Sequence, residues 1–375
     1  MTPYEILEDL LNKSKKFNPK KINPLIVEKV DILITNINKN KSLVSAIITS
    51  LIKKIISPEQ DIRFHRTDFK KGYSARSLDT QVTTKFFKNH FPRYSNKETA
   101  FLTLATREKI PWTIKEGKNL KIRNNKLKIA FLEILNDVQI KKIKPHDYLQ
   151  YFLFQLSNLS IKDDKIFSLT TENMGKNHIL NINIIISMLK EHFRLKYSSR
   201  LPVIAIYSAY QELFKVIKRY NNKLLRPLNV HTSSDKHSYG DIEIYNKNNS
   251  PFEIVEIKHN HSIDRNMIFD IVEKAKNTTI ERYYLLTTHR NNFSSEDEEK
   301  YINDLIIQIK HKYNLEIIAN GIIQSLKYYL RFIEDYDSFI KNYSNNLIKD
   351  SKLSTEVTLE HIKKWNIILK KHFNN

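Results

Sequence analysis

Residues 239–259 read YGDIEIYNKNNSPFEIVEIKH. Two short runs alternate apolar with charged residues, and the polar stretch KNNSP lies between them. A period of two marks a strand with unlike faces, and a short polar connection between two such runs predicts an antiparallel hairpin. Asp241, Glu243 and Tyr245 share one side of the first strand; Ile254, Glu256 and Lys258 share one side of the second. Laid side by side, the strands let Asp241, Glu256 and Lys258 converge. Two carboxylates a few ångströms apart repel each other unless a cation lies between them. Hard divalent ions such as Mg²⁺ take oxygen sites of this kind, with few protein ligands and several waters. Such an ion can polarise a phosphoryl oxygen, and a lysine beside it can orient the attacking water or steady developing charge. The plainer reading of the same residues is a set of solvent-side charges on an edge hairpin.

Outward from the hairpin the rhythm is α/β. The spacing predicts a helix over LPVIAIYSAYQELFKVIKRY (201–220) and a short strand in KLLRPLNVH (223–231). After the hairpin come an amphipathic helix (263–277), a strand (281–289), a helix with an acidic first turn (295–313) and another strand (315–323). Two helices, 323–348 and 354–373, close the chain, with Trp365 on an apolar face. Before residue 200 the periodicity is helical. Three helices are expected within 1–57, with Pro24 in a first turn and the last helix stopping before Pro58. Residues 126–197 are helical again, with a polar break at DDKIFSLTTENMGKN (163–177).

Asp241, fourteen intervening residues, and then Glu256-Ile257-Lys258 resemble the signature of the PD-(D/E)XK nuclease superfamily. The resemblance covers about 201–323, with Gly240 where the pattern often has proline. It implies a mixed sheet flanked by helices, with Asp241 and Glu256 holding Mg²⁺ and Lys258 serving the attacking water. A superfamily member with a large added basic domain is most like a type II restriction endonuclease. That implies double-stranded DNA as substrate, a cognate DNA methyltransferase as functional partner, and a homodimer as one way to cut both strands. The alternatives are a structure-specific repair or recombination nuclease of the same superfamily, or a non-catalytic DNA-binding protein. Many superfamily members add an acidic residue from the preceding helix, for which Glu212 is the candidate; Glu243 is a further candidate metal ligand. His259 and His261 have the H-x-H spacing of zinc ligands, but no further Cys/His cluster follows.

The bulk composition fits this reading. The chain of 375 residues leads us to expect two domains, a mostly helical basic one over 1–197 and the nuclease domain over 198–375. With no cysteine, disulfides and thiolate chemistry are excluded. No window approaches 18 uninterrupted apolar residues, and the N-terminus lacks a signal-peptide pattern, so a cytoplasmic location with no membrane partner is expected; the resemblance to restriction enzymes implies a bacterial or archaeal cell. The charge is asymmetric: residues 1–200 carry 37 basic and 19 acidic residues, against 25 and 22 in 201–375. A basic half beside a near-neutral half points to a polyanion. Within it, 58–125 interleaves aromatic and basic residues and holds six of the chain's fourteen arginines. Arg63, Arg66, Lys70, Lys71, Arg76 and Arg93 are the candidate DNA contacts there, joined by Lys236 and His237 in the loop before the hairpin. Phe64, Phe69 and Tyr73 are alternatively core residues behind a solvated charged face.

Overall fold

The computed structural model describes residues 1–19, 22–173, 180–228 and 238–373. It divides into two compact units, Met1–Lys165 and Ile166–Asn375.

In the first unit, α1 (Pro3–Ser14) starts at a capping box in which Thr2 and Glu5 exchange backbone and side-chain hydrogen bonds. Helix α2 (Pro24–Thr35) carries Pro24 in its first turn, where its missing N–H costs nothing. Helix α3 (Ile37–Ile56) buries Val44, Ile47, Ile48, Leu51 and Ile52 completely and ends before Pro58. Its partner in the core is α7 (Asn125–Gln139), through Leu127, Phe131 and Leu135. Between them the chain makes only short pieces: α4 (Ala75–Leu78), a π-helical turn (Asp79–Thr83), α5 (Thr84–His90) and α6 (Leu104–Arg107). What holds these pieces is Asp79. Fully buried, its carboxylate accepts from the hydroxyls of Ser45, Thr49, Thr84 and Thr99 and from the Ala100 N–H, at 2.7–3.0 Å. Several hydrogen bonds to one carboxylate compensate the loss of water around its charge. Helix α8 (Pro145–Asn173) completes this unit and runs on past its boundary.

In the second unit, α9 (Ile182–Phe193) and α10 (Arg200–Val216) precede a five-stranded mixed sheet. Its strands are β1 (Lys223–Leu225), β2 (Ile242–Asn246), β3 (Pro251–Lys258), β4 (Arg282–Thr287) and β5 (Glu316–Gly321), adjacent in sequence order. The first three are antiparallel neighbours; β3, β4 and β5 run parallel. The parallel pairs need crossovers, which α11 (Arg265–Ala275) and α12 (Glu296–Tyr313) supply. These two helices cover the sheet face carrying Ile254, Tyr283, Leu285 and Ile317. The other face, with Ile242, Ile244, Val255 and Leu286, packs on α9, α10, α13 (Ile322–Leu330), α14 (Tyr336–Leu353) and α15 (Leu359–Phe373). The chain is thus α/β, with a mixed sheet between helices.

Three sequence expectations change. The boundary expected after residue 197 falls instead between Lys165 and Ile166, because Ile185, Ile186, Met188 and Leu189 of α9 belong to the second unit's core. The polar break expected from residue 163 does not interrupt α8 before Asn173: Phe167 and Thr170 are buried, and the Thr170 hydroxyl bonds back to the Ile166 carbonyl at 3.2 Å. The expected helix 323–348 is two helices, since Asp335 caps a new start by accepting from Ser338 N–H at 2.8 Å. Among the described residues no helix is long and apolar enough to cross a membrane.

Candidate active site at the hairpin

Strands β2 and β3 pair with Ile242 opposite Val255 and Glu243 opposite Ile254. That register sets Asp241, the residue before β2, beside Glu256. The Ile257 N–H donates to Asp241 Oδ2 at 2.8 Å and so fixes the aspartate against β3. Lys258 Nζ donates to Glu256 Oε1 at 2.7 Å, in an ion pair still partly open to solvent (side chains 33% and 18% exposed). Such a pair contributes little to stability. Its value is to hold an ammonium and a carboxylate together where a ligand can reach them.

The site has a buried floor. Tyr283 on β4 lies on the same sheet face, and its phenol is pushed well above the ordinary value, first by burial and then by the negative charges of Glu256, Asp241 and Glu243. Its hydroxyl donates to the Tyr239 carbonyl at 2.6 Å and ties down the chain entering β2. Gly240 is required there. A Cβ at that position would come within 2.5 Å of Ile254 Cγ2 and 3.0 Å of the Val255 carbonyl. The backbone there approaches β3 too closely for a side chain.

The other candidates fall in different places. Glu243 shares the site's face, but its carboxylate accepts from Tyr239 N–H (2.6 Å), the Ser238 hydroxyl (3.1 Å) and the Tyr245 hydroxyl (3.3 Å). It staples the entering loop, and its charge together with burial raises the Tyr245 phenol to about 12, burial being the larger cause. Glu212 corrects the expectation of a ligand from the preceding helix. It is buried on α10, against the opposite sheet face, and accepts from Lys215 Nζ and the Ser338 hydroxyl at 2.8 Å and from Asn342. The helical turn that carries Glu212 points to α14, away from Asp241. His259 bonds the Thr288 hydroxyl at 3.0 Å, and burial and then the neighbouring His261 lower its pKa. Among the described residues no group of three or more His, Asp or Glu side chains gathers to hold a metal. Two adjacent carboxylates form an all-oxygen donor set, which suits Mg²⁺, an ion that completes its shell with water.

In the first unit the arginines are mostly committed. Arg63 makes a bidentate pair with Asp61 at 2.9 and 2.7 Å, and Arg66 one with Asp68 at 2.8 and 3.0 Å. Arg93 corrects the DNA-contact expectation: it is buried, and its Nε lies 3.6 Å from Asp163. Lys70, Lys71 and Arg76 are exposed. Tyr73 is a core residue, its hydroxyl donating to Ser50 at 3.2 Å, while Phe64 and Phe69 are half-buried. Lys236 and His237 lie outside the described residues.

Two groups escape a reading of the sequence. Tyr283 carries a signal, since it alternates with Leu285 on a strand that the sequence predicts. Glu253 sits on β3 with the opposite parity to Glu256, fully buried, and accepts from Tyr210 (3.0 Å), Tyr220 (2.8 Å) and Arg219 Nε (3.2 Å). Its partners come from a helix and a turn more than thirty residues away, so no local pattern announces them. No family model matches this chain, and no characterised protein matches it in sequence.

Proposed function

We propose that the chain is a Mg²⁺-dependent endonuclease of the PD-(D/E)XK type, most like a type II restriction enzyme, which hydrolyses double-stranded DNA at a specific sequence. One observation carries the reading: Asp241, at the entry to β2, is fixed against β3 beside Glu256, with Lys258 Nζ 2.7 Å from Glu256. The order of elements supports it, because α10, the hairpin, α11 and β4 follow one another as the resemblance implies.

Asp241 and Glu256 would hold the ion, which when bound supplies Lewis acidity at a phosphoryl oxygen and lowers the pKa of water. Lys258 orients the attacking water and steadies the negative charge that grows on the phosphoryl oxygens. Water attacks phosphorus, the bond from phosphorus to the 3′ oxygen breaks, and the ends carry a 5′-phosphate and a 3′-hydroxyl. Tyr283, Gly240 and Glu243 hold the entering chain so that Asp241 keeps its position against β3. A host methyltransferase would protect the same sequence.

The test is incubation of the purified chain with duplex plasmid, with Mg²⁺ and with a chelator. Discrete bands that need Mg²⁺ are the expected result. Cutting confined to branched or flapped substrates would favour a repair nuclease, and gel-shift without cutting would leave only a DNA-binding protein.

A further inference from the structure

The first unit contains an open cavity of about 650 Å³ lined by Lys53, Glu59, Asp61, Phe64, Lys70 and Lys71, among others. We propose that it binds a nucleotide, with the phosphate on Lys70 and Lys71 and the base beside Phe64. The volume is in the range of small-ligand sites. Its charge favours an anion. Asp61 is already neutralised by Arg63, which leaves Glu59 as the exposed acid of the wall against three lysines. Lys54 stands just behind this wall, its Nζ donating to the carbonyl of the lining residue Gln60 at 3.0 Å.

The loop that presents the two lysines is built in advance. Phe69 N–H donates to the Arg66 carbonyl at 3.2 Å and Gly72 N–H to the Phe69 carbonyl at 2.8 Å. Gln60 Nε2 donates to the Lys71 carbonyl at 2.7 Å, and Lys71 itself is held at φ 60°. Gly72 has no room for a side chain, with the Arg66 carbonyl oxygen 1.8 Å from where a Cβ would sit. A loop ordered before binding spends little entropy on it. Among the described residues neither Lys70 nor Lys71 forms an ion pair, so both ammonium groups remain for a phosphate. An aromatic wall suits a base, and Glu59 can accept from an exocyclic amino group.

The nucleotide could be one residue of a DNA strand or a free mononucleotide. Calorimetric titration of the full chain with deoxyadenosine 5′-monophosphate, and separately with inorganic phosphate, tests the site. The nucleotide should bind at least about tenfold more tightly than phosphate, a difference of about 1.4 kcal/mol. The double variant Lys70→Ala/Lys71→Ala, shown folded by its circular dichroism, should bind it at least about tenfold more weakly, and Phe64→Leu should erase the preference over phosphate. No nucleotide binding, equal affinity for phosphate, or wild-type affinity in the double variant would overturn the proposal. A duplex with one unpaired nucleotide that competes better than the mononucleotide identifies the strand as source; the reverse order identifies the free nucleotide. Plasmid cleavage on the same preparations keeps the two readings apart: cleavage without nucleotide binding sinks only this one, and nucleotide binding without cleavage sinks only the nuclease.

Discussion

At the scale of single residues, the proposed mechanism gives Lys258 and Asp241 separable roles. Lys258→Ala should lower plasmid cleavage by at least about a hundredfold, in line with removal of a group acting on the water, and leave gel-shift affinity nearly intact. Cleavage at near wild-type rate would remove Lys258 from the chemistry. Asp241→Asn keeps an oxygen that can accept from Ile257 N–H, so the hairpin should remain folded. The amide is nevertheless a poor ligand for a hard cation, and the variant should lose most activity at low Mg²⁺ while its urea midpoint stays near wild type. Normal cutting by this variant would move the metal site elsewhere. Both positions are legible in the sequence because strand alternation and a short turn are enough to place them on one face of the hairpin. Glu212 is not, because which neighbour a helical residue faces depends on how the helix rolls against the sheet. Here α10 turns that carboxylate toward Ser338 and Asn342.

At the scale of elements, β3 is held from both faces. On one, Glu253 is anchored by two tyrosines and Arg219; on the other, Glu256 faces the candidate site. Glu253→Ala would leave two buried tyrosine hydroxyls without their acceptor and Arg219 with Glu281 alone, and should cost about 3 kcal/mol in urea unfolding. A loss below about 0.5 kcal/mol would show that the cluster contributes no more than a surface pair. The strands are legible because each is short, bounded by polar residues and rich in β-branched and aromatic side chains. The 58–125 region resists such reading. Its order comes from a buried carboxylate, Asp79, bonded to residues from α3, α5 and the Thr99–Ala100 turn, and a period-based reading has no means to see one aspartate gathering four hydroxyls.

At the scale of the whole molecule, charge and protonation set two further expectations. Residues 1–165 carry 32 basic and 17 acidic residues, so most of the excess of +21 lies in the first unit even with the boundary moved. Replacing Lys70, Lys71 and Arg76 together by alanine should flatten the slope of log DNA affinity against log salt by up to about 3, near 0.9 for each phosphate that is no longer neutralised. An unchanged slope in the folded variant would mean that this surface touches no DNA phosphate. Acid should weaken both units. Burial holds His192 down to about 3 and His65 to about 4, both below the ordinary 6.5, and lowers His361 as well. The nearby charges of His361 and Lys364 also disfavour the charged form of His192, whose ring bonds the Tyr343 hydroxyl and the His361 carbonyl. A histidine with a depressed folded value takes up its proton first in the unfolded chain. Its stabilisation is therefore complete above about pH 6.5 and is lost as pH falls toward 4 and then 3, by about 1.4 kcal/mol per pH unit for each such group. Urea midpoints flat between pH 7.5 and 5 would contradict this.

The sequence by itself determined the α/β half, the antiparallel hairpin and the face on which Asp241, Glu256 and Lys258 lie. These follow from local periods of 2.0 and 3.6 residues and from turns a few residues long. The tertiary structure alone decided that Glu212 faces away, that Arg93 is buried beside Asp163, and that α9 belongs to the second core. Arg93 and Glu212 meet their partners across 70 and more than a hundred residues of chain, and α9 joins a core built from the far end of the protein. A charged side chain looks the same in sequence whether it is solvated or neutralised; its fate depends on whether packing brings an opposite charge within hydrogen-bonding reach.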